Sequence, residues 1–367
     1  MGKPSPTGLI AAAAGKRIVC VGDVMLDRFV YGQVTRISPE APVPIMQRHR
    51  EAAMPGGAGN VARNLASLGM LTSLIGVVGD DAEGRELAQL LGTLGDVDAD
   101  LIVMRGRPTT LKTRFVAGGQ QLLRVDAEEA SFIDKATETE LIASIHDDAA
   151  HAALIVISDY AKGAVTDRVI QAALDAGAAH GIPVIADPKG RDFARYGAVD
   201  LLKPNGHELA HAFGVPVESD QDVSTALRIA IDALPARGGC RHPRGQGHVL
   251  HPAGRRRHAS GRTGPRGATM SPAPVTPASR HSPSASPAAV RQAVDLAIAA
   301  SGIAVGKAGT ATVSAAELRT ALEMGLVTGG VSHIPLDTAI SQVQAWRDAG
   351  FTVGFTNGCF DILHRVI

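Results

Sequence analysis

Over the first two hundred residues of this chain, short apolar runs alternate with amphipathic stretches. Arg17-Ile18-Val19-Cys20-Val21-Gly22-Asp23 is an unbroken apolar run closed by Gly-Asp, the pattern of a buried strand. Met25-Leu26-Asp27 continues it and sets Asp23 and Asp27 just past the strand end, where their carboxylates suit sugar hydroxyls or a simple turn equally. Leu71 to Val78 and Leu101 to Met104 predict two more strands, with a helix over Glu83 to Leu91 between them. Leu154 to Ile157, Ile182 to Lys189 and Leu201 to Asn205 repeat the motif, with an alanine-rich helix over Val169 to Ala179 and another opening at Glu208. Strands alternating with helices predict a parallel, doubly wound α/β sheet, in which ligands bind at the carboxyl ends of the strands. The polar residues Asp159, Asp187, Lys189 and Asn205 all fall at such ends.

Two stretches break the pattern. Thr110 to Val116 alternates as a half-solvated strand does, Gly118-Gly119 reads as a hairpin turn, and Gln121 to Val125 is the return strand. Together with a strand near Met46 these predict a small sheet carrying Lys112, Arg114 and Arg124, which is either a solvated basic face or an anion site. The other stretch is Pro55-Gly56-Gly57-Ala58-Gly59-Asn60, three glycines in four residues ahead of Val61, Leu65 and Leu68 at helical spacing. It predicts a glycine turn into a helix over Asn60 to Leu68, capped by Asn60, whose free N–H groups face a polar ligand. Residues 1–16, with one apolar run from Leu9 to Ala14, read as an N-terminal tail.

Composition narrows the choices. With 36 basic and 36 acidic residues the net charge is +0, so no global field recruits nucleic acid or a membrane surface. Cys20, Cys240 and Cys359 lie too far apart for a zinc site or a disulfide framework. No apolar run reaches the roughly 20 residues of a membrane span, and a reduced cytoplasm is the expected compartment. From Leu234 to Val290 the chain changes character. It holds no Asp, Glu or aromatic residue there and is rich in Arg, Gly, Pro, Ser and His, a composition that buries too little apolar area to order itself.

Taken together, residues 22–215 resemble the ribokinase-like (PfkB) sugar kinases. Pro55 to Leu68 is similar to their first signature, and Lys203-Pro204-Asn205 with Glu208 to their nucleotide-side motif. Four finer stretches resemble the heptose-phosphate kinase branch of that family. They are Ile37-Ser38-Pro39-Glu40-Ala41-Pro42-Val43-Pro44, Ser158-Asp159-Tyr160-Ala161-Lys162-Gly163, Asp187-Pro188-Lys189-Gly190, and the run from Val305 to Val313. Phe355-Thr356-Asn357-Gly358-Cys359-Phe360-Asp361-Ile362-Leu363-His364 resembles the opening of a cytidylyltransferase-like nucleotidyltransferase.

The resemblance implies a ribokinase-like three-layer α/β sandwich with a small β-sheet lid over residues 17–325, a linker over 326–340, and over 341–367 the truncated start of a Rossmann-like nucleotidyltransferase. It implies ATP-dependent phosphorylation of a heptose phosphate at the anomeric hydroxyl, with Mg²⁺, in a homodimer joined through the lid. Asp27, Gly56, Gly57 and Asn60 would hold the sugar. Lys112, Arg114 and Arg124 are the candidates for its existing phosphate. Lys189, Asn205, Gly206, His207 and Glu208 would lie at the nucleotide, with Glu208 toward the metal.

The family's catalytic aspartate sits in a Gly-Ala-Gly-Asp turn, and none occurs after Asn205. With GC-rich codons, Pro272-Ala273-Pro274-Val275-Thr276-Pro277 reads CCG GCG CCG GTG ACA CCG. One base earlier the same bases encode Gly-Ala-Gly-Asp-Thr, so the missing turn is expected at Ala273, Pro274, Val275 and Thr276 in a shifted frame. Arg241 to Arg244, read one base later, yields Val-Thr-Arg-Gly. The two segments need different shifts, so 234–289 is expected to be frame-disrupted and disordered, and the kinase inactive in this copy.

Overall fold

The computed structural model describes residues 6–217 and 311–323 without a break. It adds isolated positions at 222, 225–226, 229–230, 248–249, 296–297, 299–301, 303–304, 307, 341 and 344. The chain divides into one compact unit over Met1–Thr328 and another over Gly329–Ile367. Ala273 to Thr276 and the nucleotidyltransferase-like stretch from Phe355 to His364 lie outside the described residues.

A seven-stranded sheet organises the first unit. Its strands are β1 (Arg17–Gly22), β4 (Leu71–Gly79), β5 (Val97–Met104), β8 (Leu154–Ser158), β9 (Val184–Asp187), β10 (Leu201–Leu202) and β11 (His248–Val249). They run in the order β11-β10-β9-β8-β1-β4-β5, every pair parallel. The predicted neighbours β8, β9 and β10 are adjacent, in register Ile155 to Val184 and Leu201 to Ile185. The expectation of disorder over 234–289 does not hold at His248–Val249, whose backbone extends the sheet beside Leu201–Leu202.

Strand pleating explains why there are two cores. Val19 and Val21 point to one face, where they meet Leu141 and Ile145 of α4 (Lys135–Ala149) and Val169, Ile170 and Ala173 of α5 (Asp167–His180). Ile18 and Cys20 point to the other, against Val61 and Leu65 of α2 (Ala58–Ser67) and Leu87 and Leu91 of α3 (Ala82–Gly92). That is the three-layer sandwich. The second layer also takes in α1 (Pro6–Ala13) and α7 (Ala315–Glu323). Residues 6–13 are therefore not tail: Leu9, Ile10 and Ala13 are buried, because an apolar face there completes the core. Helix α4 had no counterpart in the sequence reading, since its apolar positions are few and diluted by Thr, Glu and Asp.

The lid is a four-stranded sheet of β2 (Val24–Ile37), β3 (Pro44–Gly57), β6 (Leu111–Ala117) and β7 (Gln120–Ala127), in the order β3-β2-β6-β7. Strand β6 turns into β7 at Gly118-Gly119, both at positive φ as a two-residue hairpin demands. Asp27 does not sit past a strand end but inside β2, a separate 14-residue strand that leaves β1 at Asp23 and changes sheets. The short apolar run had hidden that change of sheet.

Candidate functional site

Where β1 passes into β2, two aspartates are buried with different partners. Asp23 is 2% exposed and its carboxylate accepts three backbone N–H groups, from Tyr160 at 2.8 Å, Lys162 at 3.0 Å and Ala164 at 3.0 Å. It is thus the anchor of the loop after β8 and holds no free edge for a sugar. Asp27, 4% exposed, faces the glycine turn, and Arg114 donates to it at 2.6 Å. Register explains the meeting: β2 and β6 pair Asp27 with Lys112 and Phe29 with Arg114, so all four lie on one lid face. Arg114 also stacks its guanidinium 5.2 Å from the Phe29 ring centroid.

The glycine turn is shaped by these aspartates. A Cβ at Gly56 would lie 2.5 Å from Asp27 Oδ2, and one at Gly57 would strike the Asp23 carbonyl oxygen. Gly57 stands at φ 58°, ψ −132°, a conformation reserved for glycine. Helix α2 starts at Ala58, so Asn60 is not the cap but a residue of the first turn. Its side-chain oxygen accepts from Asn64 Nδ2 at 3.2 Å and Arg63 at 3.3 Å. Gly57 takes the cap because only it turns sharply enough to bring β3 into the helix.

The three basic residues do share the small sheet, each beside a carboxylate. Lys112 contacts Asp126 at 3.0 Å and Glu128 at 2.7 Å, and Arg124 contacts Asp126 at 3.0 Å. Burial pushes the Asp126 and Glu128 carboxyls up, and hydrogen bonds and charge from Lys112, Arg124 and Lys162 outweigh it, leaving both below the usual carboxylate range.

At the other end, strand termini bring Asp159, Asp187 and Lys203 to the sheet's carboxyl edge beside α6 (Gly206–Phe213). Asn205 caps α6 in a capping box: its side chain accepts from Glu208 N at 2.9 Å, and Glu208 accepts from Asn205 N at 2.8 Å. Gly206 and His207 form the first turn. Lys189 donates to Glu208 at 2.8 Å, and Lys203 lies 2.9 Å from Asp187. Burial raises the Asp187 carboxyl, against the pull of Lys203, while nearby Glu208 adds to the rise. Burial also raises Asp159, which accepts from Tyr196 Oη at 2.7 Å and Arg195 at 3.1 Å.

Sequence reasoning missed Tyr160. Its phenol is raised by burial, then by Asp187, with Asp27 and Glu208 contributing, so charges at both ends of the site act on this one ring. Its position in the Ser158 to Gly163 motif was the available signal.

Two ammonium groups, of Lys189 and Lys203, beside Asp187 and Glu208 fit a polyphosphate carrying a cation. Among the described residues no three metal-capable side chains converge. One or two carboxylates are what Mg²⁺ takes from a protein when phosphates and water complete its shell.

The sequence profile described as pfkB family carbohydrate kinase matches residues 16–236. The bifunctional protein HldE of Hyphomonas neptunium is 52% identical over 98% of this chain and 74% of its own length. Its namesake in Caulobacter vibrioides is 42% identical over 96% of this chain and 73% of its own length. Among solved structures, phosphofructokinase-2 of Escherichia coli in complex with potassium aligns at TM-score 0.57 and 21% identity, covering 84% of this chain and 97% of that one. Arabidopsis thaliana ribokinase, complexed with ribose and ATP, aligns at TM-score 0.54 and 18% identity over 84% of this chain and 99% of that one. These two likenesses carry the fold alone. No helix among the described residues is long and apolar enough to cross a membrane.

Proposed function

The chain belongs to the pfkB family of carbohydrate kinases, as a relative of the HldE proteins, and we propose that its site is built to phosphorylate D-glycero-D-manno-heptose 7-phosphate at the anomeric hydroxyl. The observation that carries this reading is the buried Asp27 carboxylate under Gly56, with Arg114 and Lys112 on the same face. It offers a hydroxyl acceptor, a close backbone approach and positive charge for an anionic sugar.

In this reading Asp27 and Asn60 orient the sugar hydroxyls, and the turn at Gly56-Gly57 lets the ring approach the backbone. Lys189, Asn205, Gly206, His207 and Glu208 would hold the nucleotide end, with Glu208 toward Mg²⁺. When bound, the nucleotide supplies the γ-phosphoryl group and the metal offsets the charge that spreads over it. Positioning is then the chain's main contribution, with a general base to take the hydroxyl proton.

That base is what this copy lacks. The family profile stops at residue 236, three residues into the stretch without acidic side chains, and no Gly-Ala-Gly-Asp follows Asn205. A frame disruption over 234–289 accounts for both. We assign 17–325 to the kinase, 326–340 to a linker and 341–367 to the start of a nucleotidyltransferase. The test is to express the chain as written beside one with Gly-Ala-Gly-Asp restored across Ala273 to Thr276 in its shifted-frame context. Losing the base costs about 10²–10⁴-fold in rate and losing anion-hole N–H donors about 10²–10³-fold, so the restored chain should exceed the parent by at least about 10⁴-fold. Equal turnover of ATP with heptose 7-phosphate refutes the disruption.

The lid also supports a homodimer. Leu122, Leu123 and Val125 on its edge strand β7, and Val34 and Ile37 toward the end of β2, are exposed apolar side chains. Light scattering on the purified chain should give twice the monomer mass, and a Leu123→Lys variant the monomer mass; a monomeric parent removes the dimer.

A further inference from the structure

The loop from Asp159 to Ala164 is fixed more firmly than a connector requires. Asp23 takes three of its backbone N–H groups, and Asp159 takes a fourth, from Ala161 at 2.7 Å. Arg107, buried between β5 and β6, donates to the carbonyls of Lys162 and Glu129, and to that of Ser131 at 2.8 Å. It thereby ties the loop to the chain leaving β7. Ala161 stands at φ 54°, the left-handed region that a residue with a Cβ occupies only when its surroundings dictate it. Among the described residues it is the only non-glycine there.

What this frame presents is the Lys162 side chain. It leaves the body of the protein and meets the lid, its ammonium 2.6 Å from Glu128 Oε1, while Lys112 of β6 holds the other oxygen at 2.7 Å. Both lysines are largely buried, at 17% and 14% side-chain exposure. Two ammonium groups, one from the loop after β8 and one from the lid, thus converge on a single carboxylate. Lys112 lies directly across from Asp27 in the β2–β6 register, which sets the pair one strand from the sugar-binding aspartate. The two other basic residues of β6 and β7 are placed differently: Arg114 is committed to Asp27, and Arg124 is half exposed beside Asp126.

Two ammonium groups that converge on a carboxylate have the charge and donors to receive a tetrahedral dianion in its place. A phosphomonoester has more charge and more acceptor oxygens than Glu128, so it makes the stronger charge-assisted hydrogen bonds to the same donors. We propose that Lys162 is a specificity-determining residue: with Lys112 it forms the receptor for the phosphate the sugar already carries, and Glu128 stands in that receptor until a phosphorylated sugar displaces it. The inference rests on the sugar-phosphate reading above and adds a residue from outside the lid, so the lid is drawn to the body by the substrate's own phosphate.

The test is equilibrium binding by calorimetry, which needs no turnover. The full chain is titrated with heptose 7-phosphate, fructose 6-phosphate and the two free sugars, at fixed ionic strength. The parent should favour each phosphorylated sugar over its free form. Lys162→Ala should lose about tenfold or more for the phosphorylated sugars and little for the free ones, the range of a hydrogen bond to a charged group. Lys162→Arg should restore most of the preference, which excludes a mere folding defect. Glu128→Gln should bind the phosphorylated sugars more tightly than the parent. A parent without preference, an equal loss for phosphorylated and free sugars in Lys162→Ala, or unchanged phosphosugar affinity in Glu128→Gln overturns the proposal. If heptose 7-phosphate binds no better than fructose 6-phosphate, and both lose their advantage in Lys162→Ala, the receptor stands and the heptose assignment falls.

Discussion

At the lid end of the site the two buried aspartates find partners far away in sequence, whereas at the nucleotide end the cap of α6 is made next door. Asp27 meets Arg114 and Asp23 meets Tyr160, Lys162 and Ala164, all across sheets and loops. Asn205 and Glu208 cap one another within three residues, and Lys189 reaches Glu208 from the neighbouring strand end. The first arrangement exists only when the sandwich and the lid have both formed. The second is written into a short segment and survives small shifts of its surroundings. Charge follows the same division: cations hold the lid carboxylates Asp126 and Glu128 below their ordinary range, while burial holds Asp159 and Asp187 above theirs.

The sharpest way to break this contrast is Asp23→Asn. The amide accepts through one oxygen only and points its own donor at an N–H, so the buried loop loses acceptors it cannot replace with water. Unfolding in urea should show a loss of about 3 kcal/mol or more. A loss below about 1 kcal/mol would mean that Arg107 and Asp159 hold the loop alone.

The same contrast decides what the sequence disclosed. The strand-helix alternation and the Gly118-Gly119 hairpin are local patterns, and each is where periodicity put it; the Asn205–Glu208 cap is local too, but its motif pointed only to the nucleotide, and the helix starts at Gly206 rather than Glu208. Asp27 inside a lid strand, Gly57 rather than Asn60 at the helix start, and the loop anchored on Asp23 were not legible. Each depends on a change of sheet between Asp23 and Val24 that no run of apolar residues announces. Helix α1 was hidden for the opposite reason, because its apolar face is complete only against α7, some three hundred residues on.

A mutation of smaller effect tests the glycine turn. Gly57→Ala forces a Cβ into the Asp23 carbonyl at a glycine-only conformation, and should cost about 2–4 kcal/mol. Gly118→Ala, also at positive φ but in open space, should cost about 1 kcal/mol. Thermal midpoints of the two variants measure the difference. Equal losses would show that the backbone conformation alone, and not the packing of the two aspartates, requires glycine at the site.

At the nucleotide end, Asn205→Ala removes one side-chain cap from a helix whose other contacts persist, and should cost about 1 kcal/mol. The loss should leave hydrogen exchange at the Asp23 loop unchanged, since no partner is shared. Faster exchange at Tyr160 or Lys162 in this variant would show that the two ends are mechanically one.

The gentlest test tilts the pH profile rather than lowering it. Asp126 and Glu128 titrate below their unfolded values, so the stability they contribute is present above the unfolded carboxylate range and is lost as pH falls through their folded values. Asp159 and Asp187 titrate above theirs, so the sign reverses: the folded state binds their protons more tightly, and their contribution improves as pH falls through the raised folded values toward the unfolded range. Between about pH 6 and pH 3, Glu128→Gln should therefore make the chain less sensitive to acid than the parent, and Asp187→Asn more sensitive. Urea midpoints across that window give both slopes. If the two variants bend the profile in the same direction, then burial does not dominate at Asp187, and Lys203 governs its carboxyl as Lys112 governs Glu128.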